Sequence, residues 1–161
     1  MRILVVSDTH RKHDNLDIAI EKVMPDCIYH LGDGEGGEDY IEAVAECPLE
    51  IVRGNCDFGS NLPAEVVMSL GRHVVMLTHG HYYNVNYGTQ MLVEAAKEKG
   101  ADVVFYGHTH VPELTYEDDI TIVNPGSISY PRQDGRHPSY VVIDVDPQLN
   151  LHFNKIYIKK K

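Results

Sequence analysis

The sequence predicts a single mixed α/β domain over residues 1–161 that contains two β-sheets. Three observations support this fold class. Short β-branched runs alternate with helical patterns over roughly the first hundred residues, a two-residue alternation replaces them from Glu113 onward, and 161 residues is the usual size of one domain. The first pattern predicts parallel strands joined by helices, whereas the second predicts antiparallel strands.

Five buried strands and three helices are predicted in the alternating part. The strands are short apolar runs at residues 3–6, 27–31, 51–52, 74–77 and 103–106. The first helix carries apolar residues at helical spacing from Leu16 to Met24, with Asp14 as its expected cap and Pro25 after its end. The same rhythm predicts helices at residues 39–46 and 88–99.

The remaining strands are predicted from alternation and turn residues. Antiparallel strands are expected at residues 113–116, 121–123, 140–145 and 151–158. A hairpin is expected around Gly71-Arg72, between residues 66–70 and 73–77. Residues 159–161 are expected to form a frayed, solvated end, and an antiparallel edge before them leaves pairing with a second copy of the chain open.

Charge and composition exclude several classes of protein. The chain has 14 basic and 24 acidic residues, and the net charge of −10 opposes binding to long nucleic acids or anionic membranes. Its apolar runs are far shorter than the roughly 18 residues that span a bilayer. Cys27, Cys47 and Cys56 are odd in number and form no C-x-x-C pair, so neither a disulfide framework nor a thiolate zinc site is expected. These features, and an amino terminus without a signal-peptide pattern, predict a cytoplasmic protein.

Five predicted strands end in a small residue followed by a side chain that can bind a metal ion. In open α/β sheets, functional groups gather beyond the carboxyl ends of the strands, so we expect these side chains to converge. His10 and His110 each follow another candidate by two residues. Ordinary core packing has no use for so many polar groups together. The predicted metal ligands are Asp8, His10, Asp33, Asn55, His79, His108 and His110.

Such a set of oxygen and nitrogen ligands predicts two divalent ions, because one tetrahedral zinc ion takes fewer ligands from protein. Asp33 could bridge the ions with its two oxygens at a separation of roughly 3.5 to 4 Å, as in two-metal hydrolysis. Two such ions and the carboxylates of Asp8 and Asp33 leave a local charge of about +2, which attracts phosphate. Mn²⁺ is favoured, and Ni²⁺, Fe²⁺, Zn²⁺ and Mg²⁺ stay open because mixed ligands suit several metals.

The same segments, in order, resemble the signature motifs of the calcineurin-like metallophosphoesterase superfamily. The matching blocks are Asp8-Thr9-His10, Gly32-Asp33, Gly54-Asn55, His79-Gly80-His81 and Gly107-His108-Thr109-His110. The chain length and the Pro125-Gly126-Ser127 segment are similar to the small, stand-alone bacterial and archaeal phosphodiesterases of that superfamily.

This resemblance implies a two-sheet mixed β-sandwich flanked by helices. It also implies how the ligands divide between the two metals, with Asp33 shared. The first metal would be held by Asp8, His10, Asp33 and His110. The second would be held by Asp33, Asn55, His79 and His108.

One position departs from the family pattern and leaves the general acid open. Many relatives have a histidine directly after the asparagine ligand, but this chain has Cys56, which we expect to be a small buried thiol. His81 and His13 are the alternatives for protonating the leaving group or contacting phosphate. The candidate catalytic residues are therefore Asp33, Asn55 and His81. The candidate substrate-binding residues are Arg11, Cys56 and His81.

Charged residues are also expected around this site. Lys12, Arg53 and Arg132 lie near ligand-bearing or loop segments and, like Arg11, could neutralise a substrate phosphate. Residues 34–39 follow Asp33 directly, and their glycines and acidic side chains predict a mobile, acidic rim that repels long nucleic acids.

The function predicted from these features is metal-dependent hydrolysis of a small phosphodiester by two-metal activation of a bridging water. One alternative is a catalytically inactive scaffold of the same fold, as in the retromer subunit, which the chain also resembles in overall pattern. That subunit departs from the pattern at ligand positions, whereas Asp33 and Asn55 are the residue types of the active branch. A phosphomonoesterase is the other alternative, and the acidic charge argues against a nuclease.

Overall fold

The protein is described here by a computed structural model that covers residues 1–159, so Lys160 and Lys161 of the predicted frayed end lie outside it. The strands are β1 (Arg2–Val6), β2 (Cys27–His30), β3 (Leu49–Ile51), β4 (Glu65–Leu70), β5 (His73–Thr78), β6 (Val103–Phe105), β7 (Glu113–Glu117), β8 (Ile120–Asn124), β9 (Ser139–Val145) and β10 (Leu151–Tyr157). The α-helices are α1 (Asp14–Val23), α2 (Glu38–Ala45) and α3 (Gln90–Glu98). Two short 3₁₀ turns at His81–Tyr83 and Val85–Tyr87, which the sequence did not predict, precede α3.

The strands form two mixed sheets of five strands each, as predicted. In the first sheet the order is β10-β9-β1-β2-β3, with β1, β2 and β3 parallel. In the second the order is β4-β5-β6-β8-β7, with β5, β6 and β8 parallel. The predicted hairpin is confirmed as β4 and β5, and β10 is the antiparallel edge strand expected near the carboxyl terminus.

The interpretation of β8 as a purely antiparallel strand was wrong. It is antiparallel to β7 on one side but parallel to β6 on the other, where Val104 pairs with Ile122. Period-two alternation reports which face of a strand is buried, but it does not report the direction of the neighbouring strand. β8 therefore adds a sixth parallel strand whose carboxyl end, like the other five, can deliver residues to the site.

Alternating side chains of the strands build three apolar layers. Ile3 and Val5 of β1 point into the core between the two sheets, together with Phe105 of β6. Leu4 and Val6 of β1 instead face the outer layer formed with α1 and α2. The outer face of the second sheet packs on α3 in the same way. Both faces of the central strands are covered, which explains their nearly continuous apolar sequences.

The start of α1 differs from the prediction. Asp14 is the first helical residue and not the cap, since His13 precedes the helix and makes no side-chain capping bond. Asp14 and Asp17 lie in the first turn, where their negative charges interact favourably with the helix dipole. Met24 ends the helix in a left-handed conformation before Pro25, as the sequence indicated. None of the helices within residues 1–159 is long and apolar enough to cross a lipid bilayer.

Candidate metal centre

The structure brings all seven predicted ligand residues together where the parallel strands of both sheets end. One half of the cluster joins the loops after β1 and β6. The Nε2 atom of His110 lies 3.1 Å from Asp8 Oδ1 and 3.4 Å from His10 Nε2. His10 Nε2 is also 3.8 Å from Asp33 Oδ2, which connects this half to the other.

The other half joins the loops after β2, β3, β5 and β6. The side-chain oxygen of Asn55 is 3.0 Å from His79 Nε2 and 2.9 Å from His108 Nδ1. Asp33 Oδ2 is 3.3 Å from His79 Nε2. The remaining oxygen of Asp33, Oδ1, accepts the backbone N–H of Cys56 at 2.8 Å. Oδ2 is thus the oxygen of Asp33 that faces imidazoles of both halves, and the bridge through both carboxylate oxygens stays a prediction.

Backbone conformation marks these loops as unusual. Five of the candidates have positive φ angles, in a region that residues other than glycine rarely adopt: Asp8, His10, Asp33, His108 and His110. Strained conformations of this kind persist only where surrounding contacts hold them, and they cluster at functional sites. A strand that ends in a left-handed residue turns its next side chain over the edge of the sheet.

Two glycines allow the ligand-bearing loops to approach one another. A Cβ atom at Gly54 would overlap Asp33 Oδ1, and one at Gly107 would overlap the hydroxyl of Ser7 and lie 3.0 Å from Asp8 Oδ2. Contacts this short do not occur between real side-chain atoms. The small residues that precede Asn55 and His108 are thus a steric requirement of the cluster.

Three of the four histidines are oriented by an acceptor on their outer side. The Nδ1–H group of His79 donates to the carbonyl of Leu31 at 2.6 Å, and that of His110 to the carbonyl of Tyr130 at 2.7 Å. His10 Nδ1 donates to Glu35 Oε1 at 2.6 Å. Because these partners accept and do not donate, Nδ1 carries a proton in each ring, and in the neutral ring the Nε2 lone pair points into the cluster. This arrangement is typical of histidines that bind metal ions.

The interior of the cluster consequently contains acceptors that face one another. In its neutral form, His79 turns the Nε2 lone pair toward Asn55 Oδ1 and Asp33 Oδ2. Burial opposes a charge on His79, but a hydrogen bond to Asp33 and the charge of Asp8 raise its pKa, so without an ion a proton on Nε2 is favoured there. Asp8 Oδ1 is buried and has no hydrogen-bond partner among residues 1–159. An unpaired buried carboxylate oxygen is costly, and a divalent cation would satisfy it together with the neighbouring lone pairs. The mixed carboxylate, amide and imidazole set therefore fits a divalent ion.

Electrostatics keep both carboxylates ionised. Burial works against the charge on Asp33, but the hydrogen bonds of its carboxylate with His79 and with the Cys56 N–H outweigh burial and lower its pKa. Burial likewise works against the charge on Asp8, and His110 and His79 lower its pKa below the usual value. Ionised, buried carboxylates are the form in which these side chains bind cations.

The other predicted site residues lie around this cluster. The ring of His81 is 5.4 Å from that of His79, and burial, with the charge of His79, lowers the pKa of His81 to about 4. Cys56 is half-buried and not fully buried as expected, and burial and Asp33 raise the pKa of its thiol to about 11. Arg11 is exposed and donates to the carbonyl of Glu35 at 3.2 Å. His13 lies elsewhere, with its ring stacked on that of Tyr40 at 4.1 Å.

Sequence reasoning missed the residues that support the ligands. Asp57 is buried and accepts the backbone N–H groups of Asp33 and Gly54 through Oδ2, and that of Glu35 through Oδ1. Ser127, after β8, donates to the carbonyl of Asp8 at 2.9 Å. The signal for Asp57 was its place three residues after Gly54. Ser127 belongs to the Pro125-Gly126-Ser127 segment that the resemblance included, but no local pattern indicated its contact with Asp8.

The acidic rim predicted at residues 34–39 requires a correction. Glu35 is a partly buried side chain that accepts from His10 and pairs with Arg11, whose Nε lies 3.5 Å from Glu35 Oε2. The carboxylate of Glu35 is therefore bonded within the site by His10 and Arg11 and is not a free acidic group on the surface. Glu38 and Asp39 form the first turn of α2, where acidic residues stabilise a helix.

Two clefts open on either side of Glu35. The first cleft, of about 770 Å³, runs past Arg11 and Cys56 to the exposed ring of Phe58. The second cleft, of about 720 Å³, is bordered by His10, Glu35, His110, Tyr130, Pro131, Arg132 and Arg136. The second cleft therefore borders two candidate ligands, and the first reaches Cys56, the residue after the candidate ligand Asn55.

Two mixed sheets that face each other, with carboxylates and imidazoles at one common edge, form the arrangement that the resemblance to the metallophosphoesterases implies. Comparison with known proteins agrees, since residues 1–148 match the calcineurin-like phosphoesterase superfamily domain. A probable metallophosphoesterase of Methanothermobacter thermautotrophicus is 34% identical over 152 residues, covering 91% of this chain and 87% of the relative. The chain therefore belongs to the calcineurin-like phosphoesterase superfamily.

Solved structures share the fold over nearly the whole chain. A predicted phosphoesterase from Streptococcus pneumoniae superimposes with a TM-score of 0.78 at 28% identity, covering 98% of this chain and 97% of that one. An archaeal phosphodiesterase superimposes with a TM-score of 0.77 at 23% identity, covering 98% of this chain and 100% of that one. Zinc-bound Vps29 of Entamoeba histolytica superimposes with a TM-score of 0.76 at 20% identity, covering 98% of this chain and 99% of that one. The last two likenesses show the fold alone.

Proposed function

We propose that this protein is a phosphodiesterase that hydrolyses a small phosphodiester with the help of two divalent ions, Mn²⁺ being favoured. The observation that carries the proposal is that two imidazole nitrogens from different halves of the cluster approach the same carboxylate oxygen. His10 Nε2 lies 3.8 Å and His79 Nε2 lies 3.3 Å from Asp33 Oδ2. His10 and His110 with Asp8 would hold one ion, and Asn55, His79 and His108 the other, with Asp33 shared. Bound there, such a pair lowers the pKa of water and stabilises negative charge on phosphoryl oxygens.

The residues around the ions have separate tasks in this proposal. Leu31, Tyr130 and Glu35 hold the three histidines in the tautomer that exposes Nε2. His81, whose pKa is about 4, is neutral at pH 7 and would contact a phosphoryl oxygen through its ring N–H without acting as a charged acid. The Cys56 thiol, whose pKa is about 11, stays protonated and is not a nucleophile. Esters with good leaving groups should therefore react fastest.

A diester suits the site better than a monoester because one cleft borders the candidate ligands His10 and His110 and a second cleft reaches Cys56, next to the candidate ligand Asn55. A phosphodiester carries two alcohol substituents, and each cleft would receive one of them. The likeness in fold to an archaeal phosphodiesterase supports the same choice. The free thiols of Cys27, Cys47 and Cys56 suit the reducing cytoplasm that we propose as the location, and we propose that residues 1–161 act as one domain.

The proposal is tested by assaying bis(p-nitrophenyl) phosphate and p-nitrophenyl phosphate with chelated protein, before and after Mn²⁺ is added. We expect turnover of the diester that requires Mn²⁺ and that falls at least about 100-fold in Asp33→Asn. Asp119→Asn, an exposed change on the β7–β8 turn, is the matched control and should retain full activity. Mn²⁺ should also raise the melting temperature of the wild type but not that of Asp33→Asn.

The possible outcomes separate the alternatives. Metal-independent turnover, or turnover unchanged in Asp33→Asn, would contradict the two-metal mechanism. A higher kcat/KM for the monoester would identify a phosphomonoesterase. Mn²⁺ binding by calorimetry without hydrolysis of either ester would favour the scaffold.

A further inference from the structure

The second cleft contains a concentration of positive charge that the proposed hydrolysis of a simple diester does not require. Arg132 and Arg136 border this cleft together with the candidate ligands His10 and His110. Lys12 adds a third cation, since its Nζ lies 4.3 Å from the ring centre of Tyr130 in the same cleft. In a chain of net charge −10, such a grouping beside the site is unexpected.

The two arginines are also uncompensated. Within residues 1–159, neither guanidinium forms an ion pair or a side-chain hydrogen bond, and each residue bonds only through its backbone N–H. Arg11 provides the contrast, because Glu35 engages it through both its carbonyl and its carboxylate. Arg132 and Arg136 therefore remain available to bind an anion from outside the protein.

The loop that carries these arginines is attached directly to a candidate ligand. The carbonyl of Tyr130 accepts from His110 Nδ1, and the backbone N–H of Arg132 donates to the carbonyl of His110 at 3.0 Å. Ser127 Oγ accepts the N–H of Tyr130 at 2.7 Å and so secures the start of the loop. The positions of the arginines are thus coupled to that of His110, as a substrate-binding loop requires.

We infer that the second cleft binds a further phosphate group of the substrate, carried on one of the two alcohols of the phosphodiester. This inference rests on the proposed function, in which the two ions hold the scissile phosphate. Neither guanidinium forms a hydrogen bond or an ion pair with a candidate metal ligand within residues 1–159, so we assign the anion that they bind to the substituent. The substrate class is accordingly a small phosphodiester with an additional phosphate, and the first cleft, beside Phe58, receives the other substituent.

The test compares two esters that release the same p-nitrophenolate. One is the p-nitrophenyl ester of thymidine 5′-phosphate, and the other carries an additional 3′-phosphate on the same nucleoside. With Mn²⁺-loaded wild-type protein, we expect kcat/KM to be about tenfold higher for the second ester, the value of one charge-assisted contact. The Arg132→Ala/Arg136→Ala variant should reduce this ratio to about one, because it should lower kcat/KM for the second ester more than for the first. Arg72→Ala, on the β4–β5 turn, is a control that removes an arginine outside the cleft and should retain the ratio.

Binding provides a readout that does not depend on turnover. Calorimetric titration of the Mn²⁺-loaded proteins should show that thymidine 3′,5′-bisphosphate binds more tightly than thymidine 5′-phosphate to the wild type and equally to the double variant. The preference should weaken as salt is added, because the arginines are exposed. Equal affinity and equal kcat/KM in the wild type, or a preference that survives in the double variant, would overturn the inference and leave the proposed function intact. Failure to hydrolyse either ester would instead contradict the proposed function.

Discussion

Single residues in this protein act through pairs in which one member faces the candidate metal centre and the other holds it in place. His10 donates a hydrogen bond to Glu35, and His79 donates one to the carbonyl of Leu31. Asp57 differs, since it forms no hydrogen bond with the side chain of a candidate ligand but accepts three backbone N–H groups, including that of Asp33, from two loops. One carboxylate therefore fixes the loop after β2 relative to the loop after β3.

Replacing Asp57 with asparagine tests this positioning role. In the variant, an amide nitrogen would face a backbone N–H that donates to a carboxylate oxygen in the wild type. We therefore expect a loss of about 2–3 kcal/mol in the free energy of unfolding and weaker Mn²⁺ binding. Urea denaturation and calorimetric titration measure the two effects. Asp119→Asn should change stability by less than about 0.5 kcal/mol. An Asp57→Asn protein with unaltered Mn²⁺ affinity would show that the loops keep their positions without this carboxylate.

At the scale of the elements, the site depends on how closely two sheets approach at one edge. β1 of the first sheet and β6 of the second end in Ser7-Asp8 and Gly107-His108, and the backbone N–H of His108 donates to Asp8 Oδ2 at 3.1 Å. This contact crosses from one sheet to the other. It is short because Gly107 has no side chain to separate the two strand ends.

Gly107→Ala should therefore damage the cluster while leaving the sheets folded. The added methyl overlaps the Ser7 hydroxyl, and we expect the strand ends to separate at a cost of about 1–3 kcal/mol in stability, with Mn²⁺ affinity reduced at least tenfold. Gly34→Ala is the matched control, because a Cβ there meets His30 at 3.6 Å and Ile51 at 3.9 Å, which are ordinary van der Waals distances. Equal metal affinity in the two variants would contradict a steric requirement at Gly107. Circular dichroism verifies that both proteins are folded.

For the molecule as a whole, stability and site are linked through buried polar groups between the sheet and the loops. His30, the last residue of β2, is buried and satisfied on both ring nitrogens. Its Nδ1 accepts the N–H of Gly32 at 3.2 Å, so Nε2 carries the proton and bonds to the Thr9 hydroxyl at 3.1 Å. A second proton has no acceptor there, and burial lowers the pKa of His30 to about 4.

This depressed pKa predicts that the metal-free protein loses stability in mild acid. Below the unfolded-state pKa of about 6.5 the unfolded chain binds a proton that folded His30 does not. The contribution of neutral, buried His30 to the free energy of unfolding is complete above pH 6.5. It is lost as the pH falls to about 4, and the loss is about 3 kcal/mol at most. Urea unfolding with a chelator present, from pH 7 to 4, measures the slope of the free energy of unfolding against pH. His30→Gln should show a shallower slope, and an identical slope would contradict the assignment.

Much of this protein was predictable from its amino-acid order. The β-branched strands and apolar helix faces follow from local periodicity, and the small-residue and ligand pairs at five strand ends led to the convergence of seven side chains. Asp57, the paired charge of Glu35 and the parallel partner of β8 were not predictable. Each depends on a neighbour distant in the chain, and local patterns contain no information about that neighbour.

The sequence by itself determined the elements, the family resemblance and the chemical types of the candidate ligands. Only the tertiary structure decided that Asp33 faces both halves of the cluster through Oδ2, because a hydrogen bond from Cys56 engages Oδ1. It also decided that Arg132 and Arg136 border one cleft with His10. The physical reason is that periodicity is a property of neighbouring residues, whereas directed hydrogen bonds and steric approach arise only when separate strands are packed together.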